Sequence, residues 1–108
     1  MANTFKNFLT KDLTTTGSTL YSCPSATQTT VIGFSISNTS SSPITADAFI
    51  TSGGTDYYLI KSGVVPVGGS LVIVGGDQKV VLEASDVLKA LASTTTTADA
   101  VVSVLEIA

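Results

Sequence analysis

A chain of 108 residues supports one domain with a single core, and its lone cysteine, Cys23, rules out an internal disulfide. Hydrophobic residues make up 44% and charged residues only 12%, the reverse of a disordered composition. A net charge of −3 with five lysines and no arginine argues against nucleic acid as a partner, and no stretch approaches the roughly 20 apolar residues of a membrane span.

Taken in chain order, the pattern is one of strands and turns. The amino terminus, Met1-Ala2-Asn3-Thr4-Phe5-Lys6, has no cationic segment followed by an apolar run and a cleavage site, so it does not read as a secretory signal. Phe5, Phe8, Leu9 and Leu13 fall at helical spacing, but Phe5, Leu9 and Leu13 also share one face of a strand, and a strand is expected. Residues 1–16 form either an edge strand of the domain or an arm that adds to a neighbour's sheet. The clearest strand is Thr29 to Asn38, where Ile32, Phe34 and Ile36 alternate with Gly33, Ser35 and Ser37. Ile44 to Thr51 follows a serine- and proline-rich turn and is expected to form a hairpin with it.

Gly53-Gly54 then separates that strand from Tyr57-Tyr58-Leu59-Ile60, whose two tyrosines project to opposite faces, one of them expected to be largely buried. Pro66 restricts Val64 to Val67 to an edge or a connector. Leu71 to Val74 and Lys79 to Glu83 are further strands, separated by Gly75-Gly76-Asp77. Residues 86–93 suit strand or a short helix, and the strand neighbours favour strand. Thr94 to Thr97 reads as an exposed turn, and the last strand is Ala100 to Ile107. The expected fold is all-β: a single antiparallel β-sandwich over residues 1–108, Ig-like or jelly-roll-like, with about seven to nine short strands.

The inventory for catalysis is thin. Absence of histidine removes the commonest general base and metal ligand, and no Gly-x-Ser-x-Gly elbow is present. Cys23, followed by Pro24, reads as a small packed hydrophobe. Of the eight carboxylates, Asp56, Asp77, Asp86 and Asp99 are expected at turns, capping the local backbone. Neither a calcium loop nor a phosphate-binding loop occurs, and Asn38-Thr39-Ser40 reads as a turn and not as a glycosylation site. No catalytic, cofactor-binding or metal-binding residue is expected, and no cofactor.

Assembly is better supported. Serine and threonine fill more than a quarter of the chain, and a hydroxyl surface costs less to desolvate than a charged one. Val101 to Ile107 is apolar on both faces, so it must be central in a sheet or covered by another chain. A homo-oligomer is expected, with Phe5, Phe8, Leu9, Val102, Val104 and Ile107 as the candidate interface. Tyr57 and Tyr58 are candidate surface contacts, for instance for a glycan.

Several segments carry a family resemblance. Met1 to Asn7, Leu20-Tyr21-Ser22-Cys23-Pro24, Thr30-Val31-Ile32-Gly33, Ser37-Asn38-Thr39, Val67-Gly68-Gly69-Ser70-Leu71 and Val104-Leu105-Glu106-Ile107 resemble small virion proteins of tailed bacteriophages, especially those of marine bacteria and cyanobacteria. Leu82-Glu83-Ala84-Ser85-Asp86 is similar to a turn frequent in such sandwiches, with Ser85 where glycine is usual and a less left-handed turn expected in consequence. The resemblance implies a non-enzymatic virion component, made in the host cytoplasm and assembled with other virion proteins such as capsid or tail subunits. Capsid decoration is the leading location, with neck, tail or baseplate accessory, or a receptor- or glycan-binding module, as alternatives.

Overall fold

The computed structural model describes residues 3–75 and 79–108. Nine strands, β1 (Asn3–Thr10), β2 (Ser18–Ser22), β3 (Gln28–Asn38), β4 (Ile44–Ser52), β5 (Thr55–Val65), β6 (Ser70–Val74), β7 (Val80–Leu82), β8 (Val87–Ala92) and β9 (Ala98–Ile107), form two antiparallel sheets. One sheet has the order β1-β9-β3-β6, with β7 pairing the other half of the β3 edge that β6 occupies, and the facing sheet has the order β2-β8-β4-β5. The ladders run β1 with β9, β2 with β8, β3 with β6 and β7, and β4 with β5. The first half of the chain therefore pairs with the second half in reverse order, as one long hairpin rolled into a sandwich. This is a jelly roll.

Local chemistry explains the roll. The hairpin at its tip is β4–β5, where Ser52 faces Thr55 across Gly53 (φ 59°) and Gly54 (φ 83°). Two consecutive left-handed residues are what a two-residue turn of the primed type demands, and glycine adopts them without strain. The hairpin expected between β3 and β4 does not form, because the two strands lie in different sheets. Asn38 drives the chain across instead. Its amide donates to the carbonyls of Ser42 (2.8 Å) and Val65 (3.1 Å), and its oxygen accepts from Ser40 N (2.8 Å) and Ser40 Oγ (2.7 Å). Asn38 is buried, which makes the Asn-x-Ser triplet a structural corner. Replacing Asn38 with alanine strands these groups, and a loss of about 1–3 kcal/mol is expected by urea unfolding.

The core is uneven in a useful way. Ala46 and Ala48 of β4 face Ala92 and Ala90 of β8 in register, and all four are fully buried. Larger side chains, Phe34 and Ile36 of β3 and Val102 and Val104 of β9, belong to the same cluster. Each sheet mixes small and large side chains, with Ala98 and Ala100 on the first and Ile44 and Leu88 on the second, and such mixing lets the layers interlock. Gly63 shows how close the approach is, since a Cβ there would stand 2.5 Å from Ile60 Cδ1 and 2.9 Å from Leu71 Cδ2.

Three local expectations need correction. Ser85 is fully left-handed (φ 73°) despite its side chain, because Asp86 accepts from Glu83 N (3.0 Å) and Ser52 Oγ (2.6 Å) while Ser85 N donates to Cys23 O (3.0 Å). Asp56 and Asp99 are strand residues next to turns, in β5 and β9, while Asp86 sits in its turn; Asp77 lies outside the described residues. Thr97 is buried, so only Thr94 to Thr96 are exposed.

Candidate assembly surface

The outward face of the first sheet is read from the strand phases. On β1, Phe8 turns inward onto Tyr21, with ring centroids 4.7 Å apart, so Asn3, Phe5, Asn7 and Leu9 point outward. Their register partners on β9 are Ile107, Leu105, Ser103 and Val101. Gln28, Thr30, Gly33 and Ser35 of β3 continue the row, and Val81 and Val72 extend it across β7 and β6. Phe5 is 73% exposed, Leu9 69%, Val72 66% and Val81 62%. None of these outward positions carries a charge; the first ion pair is at the end of the sheet, where Lys11 Nζ donates to Asp99 Oδ2 at 3.0 Å. The bond from Asp12 N and the lysine hold the Asp99 carboxyl below its ordinary range. A shallow apolar depression of about 270 Å³ opens there, lined by Leu9, Thr10, Lys11, Asp99, Ala100 and Val101.

The other sheet treats its outward face differently. Phe49 of β4 is buried there, against the Tyr58 ring at 5.0 Å and with Lys89 as its register partner. Asp47 accepts from Ser62 N (2.7 Å), which sets the bulge of β5, and pairs with Lys61 at 3.4 Å. The Lys61 ammonium lies 4.6 Å from the Tyr58 ring centroid. This face is charged and self-covered, whereas the first bears the apolar pairs Phe5–Leu105 and Leu9–Val101 among uncharged polar residues.

The structure divides the residues singled out from the sequence. Phe5, Leu9 and Ile107 are on the outward face. Val102 and Val104 are 0% exposed in the core and cannot meet another chain, and Phe8 is turned inward. Neither tyrosine of the pair is buried: Tyr57 is 58% exposed and Tyr58 46%. They do project to opposite faces, Tyr57 opposite Ile50 and Tyr58 opposite Phe49, so they do not form one platform. The buried tyrosine is Tyr21.

Sequence reasoning missed the polar cluster around that residue. Tyr21 donates its hydroxyl hydrogen to Glu106 Oε2 at 2.5 Å, with Thr29 Oγ1 at 2.7 Å, and Lys6 Nζ pairs with Glu106 Oε1 at 3.0 Å. These bonds hold the Glu106 carboxyl below its ordinary pKa, and burial pushes the Tyr21 phenol up. Cys23 Sγ lies 3.3 Å from Thr29 Oγ1 and within reach of the Thr27 and Leu82 carbonyls. Every group in this cluster is bonded to another or to backbone, an arrangement suited to fastening β1, β2, β3 and β9 together. No cluster of three or more potential metal ligands occurs among the described residues.

The fold thus defines a jelly-roll sandwich whose first sheet carries charge on its outward face only at the Asp99 end. Among solved structures it is similar to a chain of the Bacillus endospore appendages, described as a novel family of disulfide-linked pili, with a TM-score of 0.54 and 13% identity over 97% of this chain and 84% of that one. At that identity the likeness is one of fold. No protein-family model and no curated protein matches the chain.

Proposed function

We propose that this chain is a non-enzymatic structural subunit that assembles with copies of itself, and that it does so on a tailed-phage virion as a capsid decoration protein. The observation that carries the assembly reading is the bare outward face of the first sheet, charged only at its Asp99 end, beside an opposite sheet that covers its own Phe49. Several exposed large apolar side chains on one face, here Phe5, Leu9, Val72, Val81 and Val101, mark an interaction site. A second copy is the occupant favoured by the contrast between the faces: a charged partner surface would be desolvated there with little compensation, and this face carries charge only at its Asp99 end. The virion setting rests on the sequence resemblance.

Carboxylates that an enzyme would use are committed elsewhere in this reading, Asp47 to Ser62 and Lys61, Asp56 to Thr51, Asp86 to Glu83 and Ser52, Asp99 to Lys11 and Asp12, and Glu106 to Tyr21 and Lys6. A fibre is the second reading, favoured by the likeness in fold to an appendage chain. Fibre formation here would be non-covalent, since Cys23 is buried. A glycan-binding module has less support, because Tyr58 is engaged by Phe49 and Lys61.

Changing Phe5 and Leu9 together to lysine tests the assembly reading. Light scattering on the eluting protein is expected to show the wild-type chain as an oligomer at micromolar concentration and the variant as a folded monomer. A wild-type monomer would overturn it. Electron microscopy of purified particles distinguishes a decorated capsid from a tail component or a free fibre, and absence from every virion would remove the phage setting.

A further inference from the structure

β1 is the least embedded strand of the sandwich. Six of its eight residues are exposed, the other two are half-buried, and none is buried. It is held by an unbroken eight-pair register with β9, by Phe8 on Tyr21, and by Lys6 on Glu106. The register has no bulge, and the strand contains no proline, so its backbone pairs with any β9 edge of the same sequence. Immediately after it the chain changes character. Asp12 is left-handed (φ 55°), Leu13 is fully buried, and Leu13 N donates to Ala98 O at 2.8 Å. A lightly held strand is thus joined to an anchored residue by a short, conformationally unfavourable hinge.

We propose that β1 is an exchangeable strand: in the assembled state the β1 of one copy seats against β9 of a second copy. The inference rests on the self-assembly reading: exchange joins copies whose outward faces, with Phe5 and Leu9, then pack together, and assembly needs both contacts. Exchange reproduces every contact that β1 makes within one chain, so the only changes are at the hinge, where an extended Asp12 relieves the left-handed conformation. Lys6 serves as the register key. It is the only charge on β1 and faces inward, where Glu106 of the receiving chain is buried beside Tyr21. A one-residue slip would turn Lys6 to the apolar outward face and leave Glu106 with Tyr21 alone.

A disulfide between Thr10 and Ala100 distinguishes exchange from simple stacking of sheets. These residues are register partners on the inward face, so copies stacked through their outward faces cannot bring them together. Thr10→Cys/Ala100→Cys protein is oxidised after assembly at high concentration and run under non-reducing denaturing conditions. Covalent multimers are expected, and a band at monomer size alone would overturn the exchange. Oxidation of the dilute, unassembled protein should lock β1 in its own chain and abolish oligomer formation at least tenfold in concentration, with recovery on reduction. Locked protein that assembles as wild type would overturn exchange while leaving face-to-face assembly standing. A wild-type chain that remains monomeric overturns both. Circular dichroism of the locked form confirms that the sandwich is intact.

Discussion

Replacing Val104 with lysine is expected to abolish the folded domain, whereas lysine at Leu105 leaves it standing. Val104 is fully buried in the core between the sheets, on a strand flanked by β1 and β3. An ammonium group there has no carboxylate on its own face nearer along the strand than Glu106, which is already bonded to Tyr21 and Lys6. Such a change costs more than about 4 kcal/mol, by unpaired burial together with the lost packing. Folded domains of this size have about 5–15 kcal/mol in total, so most or all of the stability goes. Leu105 points the other way and is half-buried on the outward face, so a lysine there keeps its charge in water. Far-ultraviolet circular dichroism and urea midpoints measure the contrast. Equal loss of structure in both variants would contradict the strand phase.

Glu106→Ala is the second large effect, and it carries a dependence on pH. The substitution removes a charged acceptor from a buried phenol and leaves Tyr21 with Thr29 alone, at an expected cost of about 1–3 kcal/mol. The Lys6 contribution is the smaller part, because that side chain is about half exposed. Since the folded chain holds the Glu106 carboxyl below its ordinary value of 4.5, with the Tyr21 bond as the largest cause, its stabilisation is fully present above that value. It is lost as pH falls through the depressed folded value. The Tyr21 phenol, raised chiefly by burial, acts at the other end, where its contribution present below pH 10 is lost as pH rises further. Glu106→Gln keeps the shape and an acceptor for the phenol but cannot titrate. Urea midpoints between pH 3 and 7 should therefore fall less steeply for Glu106→Gln than for the wild type, and parallel curves would exclude Glu106 as a source of the acid limb.

Much of the fold was legible because each strand is a period-two pattern closed by turn residues. Gly53-Gly54 marked the tip of the roll, and Pro66 marked the end of an edge strand. Pairing was harder to read. Adjacent strands usually pair, but β3 and β4 share a turn and not a sheet, because the Asn38 side chain ties the turn to Val65. The phase of β9 was the most consequential ambiguity. Both of its faces are apolar, and its two charges lie near opposite ends on opposite faces, Asp99 outward and Glu106 on the buried side with Val102 and Val104. Polarity therefore gave no guide to which face meets another chain. The partners that make Glu106 tolerable, Tyr21 and Lys6, are 85 and 100 positions away in the chain, beyond the reach of any local pattern.

The rolled-hairpin topology also governs when the domain can form. β9 is central in its sheet, flanked by β1 and β3, and it is synthesised after the other eight strands. Until then β1 has no ladder to join, β3 lacks one of its two neighbours, and Glu106 is not there to receive Tyr21. The closure of these large sequence separations places the domain among the slow all-β folders, on the order of milliseconds to seconds. During that interval the apolar strands of nascent chains are open to one another, and the sparse charge does little to keep them apart.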